Sequence, residues 1–534
     1  MKYNYDFNEK LGITSIGCDC EWMNIKVHNL MQNTKQKQPS INAYLGARYS
    51  RSSDSITDIA NEIVKNNIDA ASRLEAIFNG YGHKSVGDMA DVFVCIENVP
   101  MITAMRAFNI NPTISGQERS TRFQNFQNPD YIKIPKEVKI SKKLRDRYDA
   151  IILKQMNDYV EMLPIVTERF AKYFNIDMED KQQVGALKAR VFDTVRYFLP
   201  LGLKTSLGFI MSARNWSEYI SRLRGSGYII EKELGDILYT LLVGNDELKA
   251  LGYIPEADGL VRHTEANDSR QVSLKEIEEY IKSLDIKYEI KRTKGVCIED
   301  IEVNHSMSPD NLLISHLILG IYPNIDLRKF DFKQIDIKEI SKIIFKYHHH
   351  NNQMGNVAQF GAYSIDGYAD HGVLKDLNRH RSLERYVPMW ESTYSMSVEF
   401  DRDIHKLFNI CDYLYIKEFN DLKEEFMNRF SSTYTDIKEW YLDAKKEIDD
   451  MFASEFTKYL IPHAHSTRYR YYGSFDDLQY TINLRVRPGG HIAYRNVVYR
   501  WLELLKNDSE LWGEMYNRIP KVQVDSIEQF KDRG

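Results

Sequence analysis

Three short stretches of this chain recur in the same order at a nearly constant offset. "VGDMADVF" (86–93) returns as "MGNVAQFG" (354–361) at an offset of 268, "RYFLP" (196–200) as "KYLIP" (458–462) at 262, and "RLRGSGY" (222–228) as "RVRPGGH" (485–491) at 263. Each match is weak alone. Their shared order constrains the fold more than any local pattern, because a repeat implies one structural plan used twice. Each also falls at the same place in a helix–strand–polar motif–helix–helix plan. The chain therefore reads as a tandem duplication. A first repeat covers 41–244, a linker or insertion 245–296, and a second repeat 297–506. An N-terminal extension (1–40) and a C-terminal tail (507–534) flank them. Each repeat has the size of an ordinary domain.

Local patterns fill in the plan. "DSITDIANEIVKNN" (54–67) puts Ile56, Ile59, Ile63 and Val64 on one helical face. "DVFVCIENV" (91–99) is β-branched and aromatic with partial alternation, which predicts a strand. Apolar residues at helical spacing predict helices over 142–174, 185–222, 403–461 and 491–506. The stretch 245–296 is charged and rich in Gly, Asp and Asn, as linkers are.

The net charge of −5 argues against a general nucleic-acid coat, which needs a basic surplus. Five scattered cysteines (Cys18, Cys20, Cys95, Cys297 and Cys411) do not form a disulfide framework. The N-terminus lacks an apolar signal core, and no apolar run approaches a membrane span. The expectation is a cytoplasmic protein without a membrane partner.

Two polar motifs carry the chemistry. "LNRHRSLERYVP" (377–388) crowds Arg379, His380, Arg381 and Arg385 around one acid, Glu384. Like charges this close call for an anion between them. In "SGQERSTRF" (115–123), residues two apart share a face if the segment is extended. Ser120 and Arg122 then converge on one oxyanion, with Arg supplying bidentate bonds. A plain polar turn with Arg122 in an internal ion pair is the bland alternative.

Taken in order, these pieces resemble the flavin-dependent thymidylate synthases. That family carries Gly-His-x-Ser/Thr before a strand, then Arg-His-Arg-x-x-Ser-x-Asn/Gln-Glu-x-Ser-x-Arg-Tyr, an Arg-x-x-Leu-Pro element and a Leu-Arg near a helix end. "GHKS" (82–85), "SGQERSTRF", "RYFLP" and "RLRG" match in the first half, but Ile110-Asn111-Pro112 stands where Arg-His-Arg belongs. The second half keeps "RHR" (379–381), shortens the remainder to "SLERY" (382–386), and has Asn351-Asn352-Gln353 in place of Gly-His-x-Ser. The losses are complementary.

The resemblance implies an α+β fold: two repeats, each a mostly antiparallel sheet packed with long helices, forming a pseudo-dimer. A homodimer would complete a pseudo-tetramer. It implies one composite active site per chain, with FAD held by His83, Ser85, Gln117 and Glu118 from the first repeat and Arg379, His380 and Arg381 from the second. Ser120, Arg122, Arg196 and Arg385 would hold the nucleotide. Arg379 would bridge flavin and nucleotide, and Arg224 or its counterpart Arg487 would polarise the uracil ring. The implied reaction converts dUMP to dTMP with methylenetetrahydrofolate and NAD(P)H. One-carbon transfer to another uridine nucleotide, and an inactive nucleotide-binding paralogue, are the alternatives. Lys458, which replaces the phosphate arginine, suits a non-functional mirror site.

Other motifs read as structure. "HHH" (348–350) and "HAH" (463–465) lack metal spacing. "RPGGH" (487–491) reads as a turn before a helix. "RYRYY" (468–472) reads as a strand with one aromatic face rather than a single-strand nucleic-acid platform.

Overall fold

The computed structural model describes residues 3–8, 13–18, 26–30, 38–50, 52–66, 84–110, 114–121, 130–253, 257–268, 297–303, 308–322, 324–347, 361–380, 382–400 and 407–532, with a few single positions between. The "HHH" stretch, the first seven residues of "MGNVAQFG" and Asn351–Gln353 lie outside them.

Two antiparallel sheets organise the α+β fold. The first contains β1 (Tyr3–Asn8), β2 (Ile13–Cys18), β3 (Lys26–Leu30), β4 (Asp91–Pro100), β5 (Ser115–Glu118) and β6 (Lys204–Ser212), in the order β1-β2-β3-β4-β6-β5. The second contains β7 (Cys297–Val303), β8 (Tyr363–Asp370), β9 (Glu384–Tyr386) and β10 (Ser466–Gly473), in the order β7-β8-β10-β9. The order β3-β4-β6-β5 in one sheet thus matches β7-β8-β10-β9 in the other. The described strands of the N-terminal extension belong to this sheet: β3 pairs with β4, and β1 and β2 extend the sheet outward.

Helices follow in parallel series. In the first half, α1 (Gln38–Tyr49) and α2 (Ile56–Lys65) precede β4, and α3 (Met101–Ile110) follows it. Ile59 and Ile63 of α2 are buried as its periodicity requires, while Ile56 at its start is exposed. Next come α4 (Lys142–Tyr173), α5 (Lys181–Val195), and, after β6, α6 (Ala213–Arg224) and α7 (Ile229–Val243). In the second half α8 (Pro309–Ile321) and α9 (Ile337–Tyr347) precede β8, and α10 (His371–Leu377) follows it. Then come α11 (Asn420–Ala444), α12 (Asp450–Leu460), β10, α13 (Phe475–Arg485) and α14 (Ile492–Leu505).

The single helical stretch expected over 185–222 is in fact helix, turn, strand, helix. Pro200 ends the turn after α5, and β6 reads as a near-continuous buried run. Such a run does not distinguish strand from helix by periodicity. The stretch 245–268 is not a loose linker in its described part. Leu248, Tyr253, Ala257, Leu260 and Val261 are buried in the core, and Asn267 N–H bonds Ser221 C=O at 3.0 Å. The tail is ordered too. α15 (Glu510–Arg518) buries Trp512, and α16 (Ile527–Lys531) stacks Phe530 on Phe174 at 3.7 Å. β10 has the expected aromatic face: Tyr469 and Tyr471 are buried, while Arg468 and Arg470 reach Asp366.

The two halves meet along α4 and α11. Each turns a stripe inward at three- and four-residue spacing: Tyr148, Ile152, Tyr159 and Val166 on one, Phe426, Phe430, Ile437 and Trp440 on the other. Ion pairs set the helices antiparallel, from Arg147–Asp443 (3.2 Å) at one end to Arg169–Asp421 (2.6 Å) at the other. Being exposed, such pairs fix register more than they add stability.

A seam of main-chain bonds joins the halves where the two proline motifs cross. Leu201 N–H bonds Ile461 C=O (2.9 Å), Gly202 bonds Tyr459 (2.8 Å), and His463 bonds Leu199 (3.0 Å). A Cβ on Gly202 would stand 2.7 Å from the Tyr459 carbonyl, so only glycine permits the approach. No described helix is long and apolar enough to cross a membrane.

Candidate functional site

The Arg-His-Arg segment is presented by α10. Asp370 caps this helix, its Oδ1 accepting from Val373 N–H at 2.8 Å. Beyond the helix, Asn378 Nδ2 donates to the Met105 carbonyl of α3 (2.7 Å), which ties the turn to the first half. Arg385 on β9 braces the same turn. Its guanidinium donates to His380 C=O (2.8 Å) and Phe108 C=O (3.0 Å). Arg385 therefore holds the segment in place. Arg379 is exposed and, among the described residues, makes no hydrogen bond or ion pair.

Arg379 opens into a cleft of about 490 Å³ built from both halves. Ser120, Thr121, Lys188 and Arg196 line it from the first half, and Lys375, Asp376, Arg379, Arg485 and Tyr494 from the second. A smaller hollow of about 70 Å³ shares Lys375 and Arg379 with it and adds Gln117 and Glu118 from β5. Gly116 lets β5 approach β6 closely, since a Cβ there would meet the Gly208 carbonyl.

Positive charge dominates the cleft. Lys188, Arg196, Lys375, Arg379 and Arg485 face it, with Asp376 the only acid among the described lining residues. Glu118 pairs with the buried Lys375 across the two halves. Arg196 is buried: Asp376 accepts from it at 2.6 Å, His491 Nδ1 lies at 2.9 Å, and Asp193 is 3.8 Å away. Burial opposes its charge, but these two carboxylates hold it protonated. Among the described residues its Nε has no hydrogen-bond partner. Arg485 donates from Nε to His380 Nε2 and lies over the Tyr494 ring at 5.2 Å. His380 is held neutral, its pKa pushed down to about 3 by burial and by Arg485, Arg385 and Arg379. With Nε2 accepting, the ring proton sits on Nδ1.

The remaining candidates fall elsewhere. Arg224 is spent on Asp236 (2.7 Å) and Thr264 and stacks on Tyr239 at 4.4 Å. Arg487 turns back to Asn483 C=O (3.2 Å) and does not line the cleft. Arg485 lines it instead, and Leu484-Arg485 is a literal Leu-Arg pair that alignment on "RVRP" passes over. Lys375 also escaped sequence reasoning, although it stands four residues before Arg379 at helical spacing. The main chain of Ser85 lies in a turn over Lys84–Met89. His83, Arg122 and Arg381 lie outside the described residues. His463 and His465 are core groups, His463 bonding Leu199 C=O at 2.6 Å. Among the described residues no three His, Cys, Asp or Glu side chains gather as a metal site.

The corresponding positions of the opposite half have a different character. Strand register aligns them: Pro100 faces Lys204 as Asp370 faces Ser466, and Ser115 faces Ile210 as Glu384 faces Tyr472. On this register Arg106 corresponds to Asp376, Met105 to Lys375, Trp390 to Thr121 and Glu391 to Arg122. The back of the long motif thus corresponds to Met389-Trp390-Glu391, beyond the "SLERY" that sequence matching selects. Lys458, in the place of Arg196, is buried against Tyr228 Oη (3.1 Å) and Glu391 C=O (2.7 Å). Arg106 is locked to Glu231 at 2.6 Å and to the Trp390 carbonyl. Burial and Arg106 push the Lys458 pKa down to about 7.

Comparison with known proteins adds a family. Residues 29–227 match the family model described as "Thymidylate synthase complementing protein". A UPF0159 protein of Chlamydia pneumoniae is 24% identical over 444 residues, covering 80% of this chain and 77% of the relative. A UPF0159 protein of Thermoplasma acidophilum is 22% identical over 531 residues, covering 92% and 95%. Thymidylate synthase X from Helicobacter pylori, solved with FAD and dUMP, aligns with 39% of this chain and 91% of its own at 14% identity and a TM-score of 0.22.

Proposed function

We propose that this chain, which belongs to the flavin-dependent thymidylate synthase family as a divergent and enlarged member, builds one composite site from its two halves and uses it for FAD-dependent one-carbon transfer to C5 of a uridine nucleotide. The carrying observation is that Ser120 and Arg196 from one half share a single cationic cleft with Arg379 from the other. The matching strand orders support reading 41–244 and 297–506 as two repeats of a pseudo-dimer. dUMP is the substrate we favour, giving dTMP with methylenetetrahydrofolate and NAD(P)H as co-substrates. A homodimer acting as a pseudo-tetramer is the assembly we favour.

The residues present suit a phosphate-bearing cofactor and substrate. The cleft has a surplus of cations, which the oxygens of a phosphate would balance. Ser120, Arg196 and Arg122 would hold the nucleotide phosphate, with Arg385 fixing the Arg-His-Arg turn from behind. His83, Ser85, Gln117, Glu118, Arg379, His380 and Arg381 would hold FAD, which when bound supplies the reducing electrons. His380 offers Nδ1–H as a neutral donor. Arg485, which lines the cleft, would stabilise charge developing on a base carbonyl in place of Arg224 or Arg487.

Glu118 paired with Lys375, and Asp376 with Arg196, favour the second reading, an inactive nucleotide-binding paralogue, because both pairs must yield to a ligand. The visible spectrum and dUMP-dependent release of the uracil C5 hydrogen decide between them. Bound-flavin absorbance with hydrogen release supports the enzyme. A colourless protein that cannot be loaded with FAD would sink it, and release from UMP alone would change the substrate.

A further inference from the structure

His491 occupies the N-cap of α14, and Tyr228 occupies the N-cap of α7 in the other half. Small polar residues serve best at an N-cap, because their side chains bond the open N–H groups of the first turn. Neither His491 nor Tyr228 makes such a bond. Both side chains reach the cation of a proline motif instead. His491 Nδ1 lies 2.9 Å from Arg196 Nη2, and Tyr228 Oη lies 3.1 Å from Lys458 Nζ. Two positions related by the repeat therefore make one and the same kind of contact, at the expense of a cap.

The chemistry of the contact also agrees on the two sides. A guanidinium only donates and keeps its protons. Nδ1 of His491 must then accept, and the ring proton sits on Nε2. Nε2 in turn stands 3.9 Å from Cys411 Sγ, a weak acceptor. Tyr228 accepts from Lys458 and donates its own proton to the Trp390 carbonyl at 3.1 Å. Each residue is thus a neutral acceptor that passes its proton to a further group. His491 is fully buried, with the rings of Tyr197 and Tyr494 centred 5.9 and 6.1 Å away.

Neutrality decides what such a contact can do. Asp376 accepts from the same Nη2 at 2.6 Å, but as a carboxylate it also cancels the charge. A ligand anion that replaces Asp376 needs the guanidinium both charged and held still. A neutral acceptor fixes the planar fork and leaves its charge to the ligand.

We propose that His491 is a positioning residue of the cleft, which holds the Arg196 guanidinium in place, charge intact, while the phosphate of a ligand exchanges with Asp376. This role rests on the cleft being the nucleotide-phosphate site proposed above.

The test compares His491→Leu with His491→Asn in the full chain, by calorimetric titration with dUMP. Both variants lack the ring and are close in shape, but asparagine keeps a neutral acceptor at the δ position. His491→Leu should bind dUMP about tenfold more weakly than His491→Asn, as loss of a bond to a charged group requires. Equal losses in the two variants would mean that the ring only packs, and unchanged affinity in His491→Leu would mean that it does nothing; either overturns the role while the reading of the cleft stands. Nitrogen-15 NMR of the histidine rings reads the contact without a ligand, and decides if the leucine variant fails to fold. The signal that His491→Asn removes should show a bare Nδ1 and should shift in Arg196→Lys. A proton on Nδ1, or a signal indifferent to Arg196→Lys, would overturn the role. If the unsubstituted chain binds no dUMP, the reading of the cleft falls, and inorganic phosphate replaces dUMP in the same comparison. Binding of neither overturns both.

Discussion

The cleft around Arg196 and the buried network around Lys458 occupy corresponding places on similar scaffolds, yet their charges are arranged in opposite ways. At the cleft, cations outnumber Asp376, and one of them, Arg379, has no partner among the described residues. At the mirror position a cation, Arg106, replaces Asp376, and an acid, Glu391, replaces Arg122. Glu231 then enters from α7 where the cleft has Tyr494. The mirror cations are thereby consumed by Glu231 and by the carbonyls of Trp390 and Glu391. Built-in acceptors thus neutralise the cations at one position, while at the corresponding position the cations stay in surplus.

The largest effect should come from the mirror network. Arg106→Met strands Glu231 in the core and should cost about 3–5 kcal/mol of stability, read by denaturant unfolding, with dUMP affinity unchanged in the folded protein. A loss of affinity without loss of stability would mean the mirror is a working site. Arg379→Ala should lower dUMP or FAD affinity about 100-fold, or ~2.7 kcal/mol, while Lys458→Met leaves it within twofold. Equal damage from both would break the one-site reading. Arg485→Lys keeps the charge but loses the fork, and should lower kcat about tenfold with flavin still bound. Unchanged turnover would remove Arg485 from the chemistry.

The smallest effect concerns pH. Burial pushes the Glu455 pKa up to about 7 from an ordinary 4.5. The folded state therefore holds this proton more tightly. The associated stability is complete below about pH 4.5 and is lost as pH rises toward 7. Glu455→Gln should flatten that decline. A slope unchanged in the variant would place the burial effect on another group, such as Asp370.

Much of this contrast was legible in the sequence, because it rests on backbone order and residue type. "RYFLP" against "KYLIP" located both Arg196 and Lys458, and the divided long motif brought Gln117, Glu118, Ser120 and Arg379 to neighbouring spaces. What escaped depended on register. A strand flips its faces with a one-residue slip, so matching Arg-His-Arg to Ile110-Asn111-Pro112 hid Arg106 opposite Asp376. Arg485 stands two residues before Arg487, in a Leu-Arg pair that matching on "RVRP" passes over. Arg385 looked like a ligand group because sequence cannot reveal that two carbonyls already occupy it. Strands β1–β3 read in the sequence only as an N-terminal extension, because a short strand owes its place to a distant neighbour, here β4 for β3.

The main-chain seam at Leu199–Gly202 and Tyr459–His463 carries a historical consequence. Peptide groups bond alike whatever side chains they bear, so the join places almost no demand on sequence beyond Gly202. After a duplication, such a join would let either copy accumulate substitutions without parting from its twin. An arginine at one of the two positions could then be exchanged for lysine, and its surroundings resealed, without disturbing the other.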